Sequence, residues 1–297
     1  MKFHEAIDKY INYIKNTKGY SDRTIESYRR DIEQAVAFVD AINIESNIAF
    51  LKFNDINKFL DSVAIKFSNK TRNRKMYSLK SFYIYLKKYG IVNNNPCDVL
   101  ESAKMKKKNP VYLTKKEAKR FLESVNEATY RAGILLERRD KLIFNILIFT
   151  GARVSELINL NVGDVYNKDT INIIGKGKKE REIPIHKNVK EALNLYLNEY
   201  KDYNSTSPLL VSKSYNRIGA RTVQRLTKKY CNYAGINKEV TPHKLRHTFA
   251  TMFFSKTKDL RTLQELLGHE SLATTEIYTH INNKDKAKKV NSLDFME

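Results

Sequence analysis

Apolar residues recur every three or four positions in four stretches of the first hundred residues. The stretches are 7–14, 25–39, 56–63 and 76–86, and this period is typical of amphipathic helices that bury one face. Ser21 stands where the second stretch needs an N-cap. Four such helices in a hundred residues predict a small helical bundle.

The helical period stops at residues 102–111. This stretch carries four lysines and Pro110 and has no apolar repeat, a composition that is typical of a linker. We therefore predict an N-terminal helical domain at 1–101, a linker at 102–111 and a C-terminal domain at 112–297 that ends in a tail at 282–297.

The C-terminal domain is predicted to be mostly helical with one small sheet. Thr114 and Glu117 form a capping-box pattern before its first helix. Two runs of alternating isoleucines, 170–175 and 180–185, flank a glycine-lysine turn and predict a β-hairpin. Helices are predicted around this hairpin at 121–125, 141–149, 189–200, 221–234, 243–254, 260–267 and 272–281, and one more begins near residue 153. The fold class is therefore mainly α.

Charge and composition narrow the classes of partner. The 54 Lys+Arg against 33 Asp+Glu give a net charge of +21, which favours a nucleic acid or an anionic membrane surface. On charge alone, a merely basic soluble protein is the alternative. No apolar run reaches 18 residues and the N-terminus has no apolar signal core, so we expect no membrane span and no secretory signal. Two cysteines cannot build a disulfide framework, and the reduced cytoplasm is the expected compartment.

Arg153 opens a helix in the segment T-G-A-R-V-S-E-L. A cation at a helix start opposes the helix dipole, so local helix energetics do not favour arginine there. A site that needs a guanidinium beside backbone N–H groups would explain it. The alternative is an ordinary surface arginine that pairs with Glu156, three residues later.

A second segment begins at Pro242, which fits the first position of a helix. His243, Arg246 and His247 then share one face of that helix by their spacing. A zinc pair is disfavoured because Lys244 stands where the zincin motif has glutamate. Histidine and arginine on one face instead suit a transferring phosphate.

A third segment combines L-L-G-H, which ends at His269, with Tyr278 nine residues later. Tyr278 alone is a weak signal, because the chain has 18 tyrosines and a tyrosine is more often part of a core than a catalyst.

Taken together and in order, these segments resemble the tyrosine recombinase family, of the phage integrase and Xer type. The matching motifs are arginine in T-G-x-R-x-S-E-L, lysine in the G-K-G turn of a hairpin, H-x-L-R-H, L-G-H, and the tyrosine nine residues on. The resemblance covers nearly the whole chain. It implies an N-terminal, SAM-like core-binding domain of four helices, a linker and a C-terminal catalytic domain.

The resemblance implies that Tyr278 is the nucleophile and that Arg153 and Arg246 clamp the scissile phosphate. Forming a tyrosine phenolate at pH 7 costs roughly 4 kcal/mol, since its ordinary pKa is about 10. A cationic pocket lowers that cost, and two guanidiniums can stabilise the extra charge of a pentacoordinate transition state. The chemistry would then need no metal and no other cofactor.

The same resemblance gives roles to five more residues. Lys176 would be the general acid for the departing 5′-oxygen, although two further lysines on the same loop compete for that role. His243 and His269 would assist with proton transfer and phosphate contacts. Glu156 matches the acidic position that supports the site, and His247 is expected to be structural or, like Glu156, to support the catalytic residues.

The function implied is site-specific DNA recombination through a 3′-phosphotyrosine intermediate, for Xer-like chromosome or plasmid resolution or for the integration or excision of mobile elements. The implied partners are double-stranded DNA with paired half-sites and a homo-tetramer on two duplexes, alone or with a paralogous recombinase, at the nucleoid in the cytoplasm and with no membrane. The alternatives are a type IB topoisomerase-like nicking-closing enzyme, a non-catalytic DNA-binding regulator and a metal-dependent nuclease.

Two basic clusters are candidates for DNA contact outside the catalytic motifs. The first cluster lies at the start of the fourth predicted helix, where the alternative is an ordinary solvated helix end. The second cluster consists of three arginines spaced four residues apart, which places them on a later helix. The candidates are Lys70, Arg72, Arg74, Lys75, Arg217, Arg221 and Arg225.

Overall fold

The computed structural model describes residues 3–40, 52–105, 111–127, 133–175 and 180–268. The chain divides into two compact units, residues 1–108 and 109–297. The described residues form eleven α-helices and one two-stranded antiparallel sheet, which confirms the predicted fold class. None of the described helices is long and apolar enough to cross a membrane.

The first unit is a four-helix bundle, as the apolar period predicts. Its helices are α1 (Phe3–Asn16), α2 (Asp22–Asp40), α3 (Phe53–Lys66) and α4 (Asn69–Lys88). All four bury their apolar stripes in one core, where Tyr10, Ile32, Leu60 and Phe82 are fully buried. Ser21 accepts a hydrogen bond from the Thr24 backbone at the start of α2, as expected of an N-cap.

A buried carboxylate fastens α2 to α4 inside this bundle. Asp31 is fully buried and accepts hydrogen bonds from Arg74, Lys75 and Ser78. Lys75 is itself only 5% exposed and also donates to Gln34. Burying a carboxylate requires partners of this kind, because an unpaired buried charge is costly.

The residues that follow α4 return along its N-terminal half. Asn73 donates to the Ala103 carbonyl and accepts from the Ala103 backbone N–H, at 2.9 and 2.8 Å. Arg72 donates to the Glu101 carbonyl, and Asn69 to the Lys104 carbonyl. The first residues of the predicted linker are therefore bonded to the helical bundle.

The second unit contains seven helices and the hairpin within its described residues. Its elements in chain order are α5 (Lys115–Glu127), α6 (Ile134–Thr150), α7 (Val154–Asn159), a 3₁₀ turn (Val162–Asp164), β1 (Thr170–Ile174), β2 (Glu180–Pro184), α8 (Lys187–Leu197), α9 (Ala220–Tyr233), α10 (Pro242–Thr257) and α11 (Leu260–Leu267). The reciprocal hydrogen bonds between Thr114 and Glu117 before α5 confirm the predicted capping box.

The apolar helix α6 is the centre of this unit, and it packs against α5, α8 and α10. Its run of Leu142–Leu147 is almost wholly buried. The strands pair in the register Ile171↔Ile183 and Ile173↔Arg181. Because side chains alternate across a strand, Arg181 lies on the same face of β2 as the buried Ile183.

Candidate active site

Arg153 occupies the N-cap of the short helix α7. Its backbone N–H donates to Glu156 Oε2 at 2.7 Å, and its guanidinium donates to Glu156 Oε1 at 2.7 Å. The side chain of Arg153 remains 39% exposed. The local ion pair that the sequence allowed is therefore present, and it leaves part of the guanidinium facing solvent.

Glu156 lies at the centre of the site as a buried carboxylate, with its side chain 4% exposed. Burial by itself would raise the pKa of Glu156, but hydrogen bonds from the Arg181 guanidinium and the Arg153 backbone overcome it and lower the pKa to about 2. The group is therefore ionised at neutral pH. Its negative charge fixes the cations around it.

Arg246 approaches the same carboxylate from α10. It is 2% exposed and donates to the carbonyls of Gly151 and Leu267, at 2.8 and 2.7 Å. Its Nη1 lies 3.9 Å from Glu156 Oε2. The Arg246 guanidinium therefore connects the start of α10 with the loop after α6 and with the end of α11.

Gly151 makes this meeting possible. It ends α6 with φ +64°, a left-handed conformation that glycine adopts readily. A Cβ atom at this position would lie 2.4 Å from the ring of Phe249 and 3.1 Å from Leu267. The glycine in the T-G-x-R motif thus serves both the turn and the close packing of α10 against α6.

Arg181 is the member of this cluster that the sequence analysis missed. It forms a bidentate ion pair with Glu156, at 3.0 and 2.7 Å, and its Nε donates to the Leu266 carbonyl at 3.0 Å. A signal was present, since an arginine on the same strand face as Ile183 must find a buried partner. That partner is 25 positions away in the chain, so local spacing could not identify it.

His243 and His247 lie on one face of α10, as their spacing predicts. Their rings meet edge to face with centroids 4.7 Å apart. His243 is exposed, whereas His247 is partly buried. Burial, together with the charges of His243 and Arg246, lowers the pKa of His247 to about 4. His247 is therefore neutral at pH 7.

Lys176, His269 and Tyr278 lie outside the described residues, as do the last predicted helix and the tail at 282–297. Their chain neighbours are described. β1 ends two residues before Lys176, and β2 begins four residues after it. Gly268 ends α11 with φ +62°, directly before His269 in the chain.

The structure places two of the DNA-contact candidates differently from the prediction. Lys75 is buried against Asp31, so the prediction of a surface phosphate contact was wrong for this residue. Arg217 precedes α9 and donates to the carbonyls of Ile158 and Leu160, so it does not share a helix with Arg221 and Arg225 as its spacing suggested. Arg217 is exposed and stays a candidate for DNA contact. The other candidates are Lys70, Arg72 and Arg74 around the start of α4, and Arg221 and Arg225 on α9.

The assembled site has an excess of positive charge. Three guanidiniums, those of Arg153, Arg181 and Arg246, lie within 4 Å of one carboxylate. One negative charge cannot neutralise three positive ones, so the cluster retains an attraction for an anion such as phosphate. Among the described residues no group of three His, Cys, Asp or Glu side chains could hold a metal ion.

Comparison with protein families gives two matches that together cover most of the chain. The model described as the phage integrase family matches residues 111–285. The model of the phage integrase N-terminal SAM-like domain matches residues 7–90.

Individual proteins agree with this result. Tyrosine recombinase XerC of Thermodesulfovibrio yellowstonii is 36% identical over 289 residues, which cover 94% of this chain and 92% of the relative. The XerH site-specific recombinase bound to palindromic difH substrate has a TM-score of 0.78 at 23% identity, over 96% of this chain and 84% of XerH. A lambda integrase from a tetramer bound to a Holliday junction has a TM-score of 0.72 at 19% identity, over 91% and 78% of the two chains. These two structural likenesses establish the fold.

Proposed function

The chain belongs to the phage integrase family and is a site-specific DNA recombinase of the tyrosine type, and we propose that Tyr278 is its nucleophile and that Arg153 and Arg246 hold the scissile phosphate. Lys176, His243 and His269 complete the catalytic set in this proposal. The observation that carries it is the cluster of guanidiniums around the buried Glu156. That cluster contains both proposed phosphate ligands on one carboxylate.

The proposed reaction exchanges one phosphate ester for another. The phenol oxygen of Tyr278 forms a bond to phosphorus and passes its proton to an imidazole, that of His243 or His269, while the bond from phosphorus to the 5′-oxygen breaks. The Lys176 ammonium gives a proton to the departing 5′-oxygen. Arg153 and Arg246 stabilise the charge that grows on the non-bridging oxygens.

The covalent 3′-phosphotyrosine ester explains why no energy source is needed. The ester conserves the energy of the broken phosphodiester, so the 5′-hydroxyl of a second strand can attack it and release Tyr278. In this proposal side chains of this chain supply every proton transfer and stabilise the charge that forms on the phosphate. We therefore expect cleavage and rejoining without metal or ATP.

The DNA substrate is proposed to carry paired half-sites, with four copies of the chain acting on two duplexes. The likeness to recombinases bound to DNA, one of them a tetramer, supports this proposal. The similarity to XerC supports a role in chromosome or plasmid resolution, with a paralogous recombinase as a further partner and the nucleoid as the place of action. Integration or excision of a mobile element uses the same chemistry.

A nicked suicide duplex tests the chemistry. The full-length protein should form an SDS-resistant adduct with the 3′-phosphate of the cleaved strand, and it should do so in EDTA. Tyr278→Phe should form none. Tyr233→Phe is the matched control, because Tyr233 is an exposed tyrosine of α9, and it should cleave like the parent protein.

A second assay separates recombination from its alternatives. Two-site DNA should yield synaptic complexes of four protomers and recombined products. Relaxation of supercoils by a monomer on single-site DNA, with no exchange, would favour a nicking-closing topoisomerase. Binding without any adduct would favour a regulator, and loss of cleavage in EDTA would favour a metal-dependent nuclease.

A further inference from the structure

Arg181 bonds to two parts of the second unit that are far from it in the chain. Its Nη1 and Nη2 atoms reach the two oxygens of Glu156 on α7, and its Nε donates to the Leu266 carbonyl at the end of α11. The side chain is only 12% exposed. Arg181 itself belongs to β2, so one planar guanidinium fastens the hairpin to two helices.

The hydrogen bond from Arg181 to the Leu266 carbonyl holds the C-terminal end of α11, which lies just before His269 in the chain. The last carbonyls of a helix have no partner within the helix, and cations at that end are favourable. Arg181 takes the Leu266 carbonyl, and Arg246 takes the next one, that of Leu267. A Cβ atom on Gly268 would lie 3.1 Å from Nη1 of Arg181, so the guanidinium lies directly against this glycine.

The ion pair with Glu156 also affects the two proposed phosphate ligands. Arg181 binds both carboxylate oxygens, whereas Arg246 lies 3.9 Å from the nearer one and is held by carbonyls. If a neutral side chain without hydrogen-bond donors replaced Arg181, the Glu156 carboxylate would attract Arg153 and Arg246 more strongly. Both guanidiniums would then be drawn towards Glu156 and out of the positions in which the proposed function has them hold the phosphate.

The place of Arg181 in β2 connects these contacts to Lys176. Arg181 follows Lys176 by five residues, and it pairs with Ile173 across the hairpin. The bonds of Arg181 fix the start of β2, which begins four residues after Lys176 in the chain. Without these bonds the start of β2 can shift relative to Glu156.

We propose that Arg181 is a positioning residue of the recombination reaction, which aligns the turn carrying Lys176 and the turn leading to His269 with the guanidiniums of Arg153 and Arg246. The proposal rests on the function proposed above. In this proposal Arg181 acts through its contacts with Glu156 and the Leu266 carbonyl and through the strand to which it belongs.

The test compares two leaving groups on the same suicide duplex. One duplex has an ordinary 5′-oxygen at the scissile phosphate, and the other has a bridging 5′-sulfur, which leaves without a proton donor. Arg181→Met should lower single-turnover cleavage of the oxygen substrate by roughly 100-fold, the cost of a displaced catalytic group. The sulfur substrate should lose much less, so the ratio of sulfur to oxygen rates should rise at least about tenfold.

This ratio is independent of how much of the protein is active. A variant that is merely less folded loses both rates equally and keeps the ratio of the parent protein. Arg138→Met is the matched control, because Arg138 also pairs with a carboxylate, Glu199, and donates to a carbonyl, that of Leu195. Its ratio should equal that of the parent.

A sulfur-to-oxygen ratio of Arg181→Met equal to that of the parent overturns the alignment of Lys176 by Arg181, which is the part of the positioning role that this ratio measures. If the methionine variant does not fold, Arg181→Lys takes its place with the same two readouts, since lysine keeps the charge but cannot make the bidentate pair. The outcome is also distinguishable from failure of the proposed function. In that case the parent protein itself would form no adduct on either duplex.

Discussion

Replacing Glu156 by glutamine removes the one negative charge that the arginine cluster shares. The buried carboxylate accepts hydrogen bonds from Arg153 and from both terminal nitrogens of Arg181, with Arg246 at 3.9 Å. Glutamine has nearly the same shape but no charge. Glu156→Gln therefore leaves the packing almost intact and leaves buried guanidiniums without their counter-ion, a change that is strongly destabilising.

The magnitude follows from the pKa of Glu156. The pKa falls from its ordinary value of 4.5 to about 2 in the folded chain, and at about 1.4 kcal/mol per pKa unit this gap corresponds to about 3 kcal/mol. Because the folded-state pKa is lowered, the contribution is fully present above pH 4.5 and is lost as the pH falls towards 2. At pH 3 about half of it, roughly 1.5 kcal/mol, should remain.

Urea unfolding of the full chain, followed by far-ultraviolet circular dichroism, measures this difference. Glu156→Gln should lower the free energy of unfolding of the second unit by about 3 kcal/mol at pH 7 and by about half as much or less at pH 3. Glu123→Gln is the control, because Glu123 pairs with Lys119 on the exposed face of α5. An exposed pair of this kind contributes about 0.5 kcal/mol or less.

A difference between the parent and Glu156→Gln that is the same at pH 7 and pH 3 would refute the reasoning. It would mean that the glutamine variant loses packing and not the ionised form of the carboxylate. A difference below about 1 kcal/mol at pH 7 would likewise contradict a strongly lowered pKa.

Two further outcomes follow from the site. Gly151→Ala should lower the melting temperature by several degrees, because the new Cβ would lie 2.4 Å from the Phe249 ring and φ is +64°. Gly219→Ala is the control and should change the melting temperature little, because nothing lies within 4 Å of its Cβ position. Equal melting temperatures of the two variants would contradict the close packing at Gly151. Arg153→Ala should reduce adduct formation by roughly 100-fold or more. The circular dichroism spectrum and the DNA affinity should stay nearly unchanged, because the Arg153 side chain is 39% exposed. Unaltered cleavage by this variant would show that Arg153 does not hold the phosphate.

The sequence was most informative where one local pattern decides the structure. The helical period of the first hundred residues predicts α1 to α4, because each helix must bury an apolar stripe. The hairpin and the capping box at Thr114 are equally local. Arg153 could be placed at a helix start because the glycine before it ends the preceding helix.

Long-range ion pairs could not be predicted in this way. Lys75 was counted as a surface cation, yet it meets Asp31, which lies 44 positions earlier in the chain. Arg181 meets Glu156 across 25 positions. The sequence shows that a charged side chain must contact either an opposite charge or water, but only the packed fold shows which of the two it contacts.

Arg217 shows a different limit. Its spacing from Arg221 and Arg225 fits one face of a helix, so it was grouped with them as a DNA-contact candidate on that helix. Gly219 is the N-cap of α9, so Arg217 lies before the helix, where it donates to two carbonyls. Spacing alone indicates a shared face only when all the residues belong to the same helix.

The most direct test of the central claim identifies the tyrosine that carries the DNA. Tryptic cleavage after Arg261 and Lys284 gives a peptide of residues 262–284 in which Tyr278 is the single tyrosine. After a suicide-substrate reaction, digestion of the trapped adduct with trypsin and nuclease should leave a nucleotide remnant on this peptide in the mass spectrum. A remnant on a peptide with any other tyrosine would contradict the account.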